Sequence, residues 1–600
     1  MGPELVTNAK TGSRNYTRFP RLCVSYYSLA AKIAIGCLDQ RRRSALLYAR
    51  VLPHKMTFLD ILPTESIIHI LLLLPPTDII TCKVVCHRLF EIIRESPELQ
   101  YLLQLDILGY APPLNPLNDL SFGDKIRVLQ RKHPARPNQM QLQDMSPHAV
   151  KFESVGPLSA NIRYSGGVLA VGKPSIDVTR QLQLYQLASN NKRTDFSSFV
   201  LHDLGVETHD FRFDPDLDLL VLLERVNTLV DDDTDLEMRF HLRSLSTGRL
   251  HPLAPIPVLT STFKFTTTYN EGGFQICGKH ISVLCYTNSR LDNSSPKMCV
   301  WDWTTGELIT STEVPGKEFA FISENAFVVP ASRYKWAGSD TIGSLLVYTI
   351  TDTHPGNRAR HIASLRLPAT SAGPCHSQCH FIATCLPPSP IVLDGHLVMM
   401  PPKRVYEIGP SSHYLCLHIR AFNIENLHGQ MANGMLFIPA SSIHHILNSI
   451  TNKHLPPKHY TWEGWASGTS WINTRILRRS PNCIFGHRAA LLSFDHKERG
   501  WRVFLYDLRA SVRGLKMEEF LKNEDEGPFF SDKYLNRIFS DAGAGIPGPT
   551  VVNSFLVSEG EEWDTHTDSI PPVLAVDDER IITYDERQLR GLPELHVYEI

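Results

Sequence analysis

Long hydrophobic runs are missing from this 600-residue chain. A bilayer-spanning helix needs about 20 consecutive apolar residues, and the longest stretch here, around Ile70 to Leu74, falls far short. No membrane partner is expected. An excess of charge of one sign is missing too, since 60 basic residues face 62 acidic ones. A near-neutral chain has no global attraction for nucleic acid or anionic lipid. No nucleic-acid partner is expected, and Arg41–Arg42–Arg43 reads as solvated surface. The 12 cysteines lack the even spacing of a disulfide framework. Reduced thiols in the cytoplasm or nucleus fit them better than a secreted scaffold.

Catalytic motifs are also lacking. "GFQICGKH" (Gly273 to His280) approaches a phosphate-binding loop. Yet His280 stands where a magnesium-binding Ser or Thr is required, and the surroundings predict strand–turn–strand. "GAGIPG" (Gly543 to Gly548) spells a dinucleotide motif, but Pro547 and Pro549 stand where the helix should begin. "CHSQCHFIATC" carries Cys375, His376, Cys379, His380 and Cys385 without the paired CxxC knuckles of a zinc site. The acidic run Asp231 to Glu237 lacks the glycine and terminal glutamate of a calcium loop and reads as a solvated hairpin tip. No catalytic, cofactor-binding or metal-binding residue is assigned. A non-enzymatic protein without cofactor is expected.

What is present divides by texture. The length exceeds what one hydrophobic core usually organises. Residues 1–55 hold Lys10, Arg14, Arg18, Arg21, Lys32, Arg50 and Lys55 besides the arginine triplet, against only Glu4 and Asp39. That composition resembles a mitochondrial transit peptide. A disordered extension preceding a natural start at Met56 is the reading preferred here. Thr64 is expected to cap a first helix that Pro75–Pro76 ends, and Thr77–Asp78 a second. Cys82, Val85, Cys86, Leu89, Ile92 and Ile93 then form one helical stripe. Ser96–Pro97–Glu98 starts another helix, which Gly109 closes.

"LPTESIIHILLLLPPTDIITCKVVCHRLFEII" resembles an F-box. Leu62, Pro63, Glu65, Ile67, Ile70, Leu71, Leu74, Pro75, Asp78, Ile79, Cys82, Val85, Cys86, His87 and Leu89 fall on that family's pattern in order. Tyr101 stands where many F-boxes close with tryptophan. The resemblance implies a docking module for the adaptor subunit of SCF-type cullin–RING ubiquitin ligases, and through it the cullin. It assigns adaptor contact to Leu62, Pro63, Glu65, Ile67, Ile70, Leu71, Leu74, Pro75, Asp78, Ile79, Val85 and Leu89. Cys82, Cys86 and His87 could suggest a metal, but the resemblance makes Cys86 a buried apolar residue.

An amphipathic connecting helix and a polar linker occupy 111–150, behind an F-box at 56–110. From 151 to 600 short apolar strands alternate with Gly, Asp, Asn and Pro turns. Seven strand pairs recur. They include "VLAVG" with "LQLYQL", "ISVLC" with "MCVWDWTTGE", "HLVMM" with "YLCLHIRAF" and "ERIITYD" with "ELHVYEI". Repeated small sheets that cannot bury their own faces point to radial stacking. The expected fold class is α+β multidomain, a short all-α F-box module followed by a large all-β, seven-bladed β-propeller. A β-sandwich pair, or six or eight blades, remains the alternative. "NGMLFIPASSIHHILN" and the following Trp462, Trp465 and Trp471 resemble an insertion of basidiomycete-type fungal F-box proteins, with core or rim packing as the plainer role. The resemblance implies a substrate receptor presenting an unknown protein for ubiquitination. The alternative is a non-catalytic F-box scaffold acting outside the ligase.

Overall fold

The helices of the opening stretch follow its prolines and its apolar spacing. In the computed structural model, residues 61–132, 148–151, 162–175, 178–230, 233–265, 269–287, 295–332, 342–350, 359–368, 375–384, 391–393, 396–423, 430–450, 456–473, 483–495, 500–509, 550–559, 573–584 and 594–599 are described. The expectations for residues 1–55, Gly543 to Gly548, Cys385 and Ile600 lie outside them. The chain divides into two compact units, the first ending at Gln104 and the second beginning at Leu105. No described helix is long and apolar enough to cross a membrane.

The first unit holds α1 (Thr64–Leu71), α2 (Pro76–Lys83), α3 (His87–Glu95) and the start of α4 (Pro97–Leu108). Two expected caps are corrected. Pro63 and Pro75, not Thr64 or Thr77, precede the first helical residues, and neither helix has a side-chain cap. Pro76 begins α2 because the first helical position needs no amide donor. The expected single stripe from Cys82 to Ile93 is also corrected. Cys86 is extended, with φ −154° and ψ 160°, so the chain breaks between α2 and α3. The start at Ser96 is realised, with Leu99 N donating to Ser96 Oγ at 3.4 Å. Gly109 ends α4 at φ +75°, a conformation that favours glycine.

In the second unit α5 (Phe122–Lys132) supplies the connecting helix. Seven sheets of four antiparallel strands follow, the fourth extended by a short parallel fifth strand. From inner to outer strand, blade 1 is Ile162–Ser165, Val168–Ser175, Val178–Gln186 and Ser197–Leu201, and blade 2 is Asp210–Asp214, Leu219–Val230, Asp233–Ser244 and Val258–Phe265. Blade 3 is Tyr269–Cys277, His280–Thr287, Lys297–Asp302 and Glu307–Glu313, and blade 4 is Ala320–Ser323, Ala326–Ser332, Gly343–Ile350 and Ala359–Arg366. Blade 5 is Cys375–Thr384, Tyr414–Asn423, Gln430–Pro439 and Ser470–Asn473, and blade 6 is Ile484–Phe485, Arg488–Asp495, Gly500–Asp507 and Thr550–Glu559. Blade 7 takes Val573–Val576, Arg580–Tyr584 and Glu594–Glu599 from the end of the chain and His148–Lys151 from upstream of blade 1.

Strand alternation explains why near-continuous apolar runs were chosen. Leu219, Val221 and Leu223 enter the seam between blades 2 and 3, while Leu220 and Leu222 enter the seam between blades 1 and 2. Each neighbouring pair of blades has such a seam. The closing one joins Leu169, Val171 and Tyr185 of blade 1 to Ala575, Ile582 and Val597 of blade 7. Across the next seam Tyr598 packs with Trp501 and Val503 of blade 6. The large domain is therefore a closed seven-bladed β-propeller.

Six of the seven expected strand pairs are hairpins, and the fifth is corrected. "HLVMM" does not precede its partner in blade 5, because His396–Met399 pairs with Ile391–Leu393 in a separate ribbon. Tyr414–Asn423 instead lies between Cys375–Thr384 and Gln430–Pro439. The expected insertion is thereby trimmed. "NGMLFIP" and "SWIN" are blade strands, and among the described residues only the elements α6 (Ala440–Ser449), Lys458–Tyr460 and α7 (Trp462–Trp465) are inserted between them. Lys458–Tyr460 runs parallel to the outer strand of blade 4.

Trp465 and Trp471 are buried in the seam of blades 4 and 5. The Trp471 ring lies on the backbone of Gly434, where a Cβ would fall 2.3 Å from Cζ2. Trp471→Ala should cost the propeller about 3–5 kcal/mol through the cavity it leaves. Denaturant titration checks this; a loss below about 1 kcal/mol would mean the seam does not depend on the ring.

The last turn of α4, which belongs to the second unit, is tied to blade 6. Arg509 Nη1 donates to Ile107 O at 2.9 Å, and Arg509 also holds Asp507 at 2.9 Å. Burial alone would raise the Asp507 carboxyl, but hydrogen bonds from Arg509 and the charges of His487 and Arg509 hold it at about 2. A carboxylate depressed from 3.8 stabilises the fold above about pH 4 and loses that contribution as the pH falls through 2. Asp507→Asn should cost about 2 kcal/mol at neutral pH. The gap from wild type should close on acidification, and equal gaps at pH 7 and pH 2 would refute the assignment.

Candidate docking surface

The helical module sorts its apolar residues onto two sides. Ile67 and Leu71, four apart on α1, meet Ile79 of α2, Leu89, Ile92 and Ile93 of α3, and Leu99 and Leu103 of α4 in one core. Four of the expected adaptor contacts, Ile67, Leu71, Ile79 and Leu89, are thus core residues. Their side chains support the surface from beneath. Leu62, Leu74 and Val85 are half-buried and pack against the same core. Pro63, Glu65, Ile70, Pro75 and Asp78 are exposed.

The exposed set includes residues that motif reading missed. Leu73 and Val84 are 69% and 70% exposed, and Ile61, Ile80 and Phe90 are also open to solvent. Ile80 of α2 and Val84, which caps the C-terminus of that helix, lie four apart and so neighbour each other. The signal was available: they are the apolar positions left over once the core stripe is assigned. Lys83 Nζ and Arg94 Cζ stand 5.4 and 5.6 Å from the Phe90 ring. Arg88 Nη2 donates to Leu62 O at 2.8 Å, fixing the entry to α1 against α3. An apolar set of this kind makes this module a candidate interaction surface.

The metal candidates separate in space. The break at Cys86 removes the helical alignment of Cys82 with Cys86, and both are half-buried beside the core. His87 faces solvent and pairs with Glu91 at 3.5 Å. In the strand Cys375–Thr384, Cys379 is buried in the seam of blades 4 and 5. Among the described residues no three His, Cys, Asp or Glu side chains gather as metal ligands. Gly273 to His280 spans two paired strands with Gly278 in the turn at φ +55°, so no helix N-terminus follows it. Of the acidic run, Asp231 and Asp232 lie outside the described residues, and Asp233 pairs with Val230.

The F-box-like family model matches residues 59–99. No curated protein matches the chain. Among solved structures the chain is similar to Hsv2 of Kluyveromyces lactis, at 9% identity and a TM-score of 0.31, over 72% of this chain and 91% of that one. It is also similar to an ACO/RPE65 chimera, at 12% identity and a TM-score of 0.27, over 58% of this chain and 68% of that one. With the match falling on the helices and exposed apolar residues described above, this chain carries an F-box-like domain followed by a seven-bladed β-propeller.

Proposed function

We propose that this protein is a substrate-receptor subunit of an SCF-type cullin–RING E3 ubiquitin ligase. Its F-box-like domain docks the adaptor, and through it the cullin, while the propeller receives a target protein for ubiquitination. The observation carrying this reading is the exposed apolar set Ile70, Leu73, Ile80 and Val84 on a domain of the adaptor-binding family. Catalysis belongs to the other subunits, and this chain needs no cofactor. The cysteines whose side chains are described are free thiols, as suits the cytoplasm or nucleus.

Affinity purification of the full chain tests it. Adaptor and cullin recovered together are the expected result. Adaptor without cullin would favour the scaffold reading, and absence of both would end the docking assignment.

A further inference from the structure

The outer strand of a blade turns a row of backbone N–H and C=O groups outward, where another extended chain can pair with it. Most outer strands of this propeller carry a charge or are covered by the protein's own chain. Those of blades 2, 3, 6 and 7 include Lys264, Glu307, Glu559 and Lys151. The outer strand of blade 4 is covered by Lys458–Tyr460, which pairs with it in parallel from Ala363 to Leu365. In blade 5 the outer-strand residues Ser470, Trp471 and Ile472 are buried. Cover from within the chain recurs where residues 396–413 form a strap over blades 1 and 2. Arg404 Nη2 donates to Asp216 Oδ2 at 2.7 Å, and the N–H groups of Val405 and Tyr406 donate to Asn191 Oδ1 at 3.0 and 3.1 Å.

Blade 1 departs from this pattern. Its outer strand, Ser197–Leu201, has the sequence SSFVL and holds no charged residue. It is the last strand of its sheet, paired on one side only, from Ser197 with Gln186 to Leu201 with Leu182. Ser197, Ser198 and Phe199 are exposed, and Phe196 just before them is 50% exposed. Phe199 and Leu201 stand opposite Leu184 and Leu182, two residues of the seam between blades 1 and 2. Both therefore lie on the side of the strand that faces blade 2. There a turn of blade 2 comes close, since a Cβ on Gly248 would fall 3.1 Å from Leu201 Cδ2. Leu250, two residues beyond Gly248, is 56% exposed. An uncharged edge thus runs beside an exposed apolar rim.

Charges at the two ends of the strand select what can add to it. Asp195 lies two residues before Ser197 and Asp203 two after Leu201, and both are exposed. Gly205 N donates to Asp203 Oδ1 at 2.8 Å and holds that carboxylate in place. The nearby Arg193 is committed elsewhere, its Nη1 donating to Asp119 Oδ2 at 2.8 Å. A second copy of this strand, antiparallel and centred on Phe199, would set Asp195 of each copy against Asp203 of the other. Directly opposed like charges are destabilising. Lysine or arginine at the same places is favourable. We propose that the outer edge of blade 1 binds an extended peptide segment of another protein as an added strand, apolar at alternate positions and basic at its ends. Blade 4 displays the same mode within the molecule, its added strand beginning at Lys458. The site stands on the propeller's own residues and goes beyond the receptor reading.

A phage-displayed library of random peptides, selected on the purified full chain, tests it. Enriched peptides should carry apolar residues at alternate positions and Lys or Arg near their ends. They should bind Phe199→Ser about tenfold more weakly than wild type. Asp195→Lys should weaken them about fivefold. Both positions are exposed, and scanning calorimetry checks that each variant melts as wild type does. Asp195→Lys, outside the strand, keeps the test decisive should Phe199→Ser lower stability. N-methylation of the peptide's amides one at a time should weaken binding at every second position, because alternate N–H groups of an added strand face the edge. Bound peptide should also slow amide hydrogen exchange across residues 197–201. Peptides that bind both variants as wild type, N-methylation without effect at any position, or no enrichment at all would overturn the proposal. Neither adaptor nor cullin enters the measurement, so its outcome is independent of the ligase reading.

Discussion

Replacing Leu73 and Val84 together by aspartate should abolish capture of the SCF adaptor while leaving the helical module folded. Both side chains are more than two-thirds exposed, so the new carboxylates meet water in the free protein and the core is untouched. In a complex they would be desolvated without a partner. Central apolar contacts of an interface cost about 2 kcal/mol or more each when lost. Two of them bring a weakening of about a thousandfold. Calorimetric titration with purified adaptor, alongside circular dichroism, reads both halves of the expectation. Ile79→Asp makes the contrast. Ile79 is fully buried, and a charge there should unfold the module outright. Undiminished adaptor binding by the double variant would show that the interface lies elsewhere on the module.

Deleting Glu594 to Ile600 should unfold the propeller as a unit. The strand Glu594–Glu599 lies between Arg580–Tyr584 and His148–Lys151, so its loss strips blade 7 of two ladders at once. Val597 leaves the seam with blade 1 and Tyr598 the seam with blade 6. Those two side chains alone contribute roughly 3–6 kcal/mol by burial. The stability of a whole domain is only about 5–15 kcal/mol. The opened ring would also expose an unpaired edge that invites aggregation. Differential scanning calorimetry of full-length and truncated protein checks this. An unchanged melting temperature would contradict ring closure.

Much of this architecture was legible in the sequence because its cues are local. Alternating apolar residues in "ISVLC" and "WRVFLYDL" specify strands that pair with their sequence neighbours, and Ser96–Pro97 sets a helix start within three residues. Six of the seven blades were read from such hairpins. The same locality explains the errors. "HLVMM" alternates like a blade strand, yet it belongs to a ribbon in the strap, and nothing within a few residues of it says which sheet it joins. The extended conformation at Cys86, which divides the expected stripe into α2 and α3, has no proline or glycine to announce it.

The docking surface was readable by half. The apolar periodicity from Ile67 to Ile93 identified the helical module and the residues that hold it together, while its family came from the resemblance to an F-box. Which apolar residues stay outside was decided by the packing of four helices, since Ile79 and Ile80 are chemically identical neighbours and only one fits the core. The sequence by itself determined the helical module and the strand-rich domain, both properties set by residue type and short spacing. Only the tertiary structure decided the closure of the ring. His148 pairs with Val597 across nearly the whole β-domain, and Asn191 joins segments from blades 1, 5 and 7. Such pairings depend on the accumulated curvature of seven sheets, a quantity that no short stretch of chain contains.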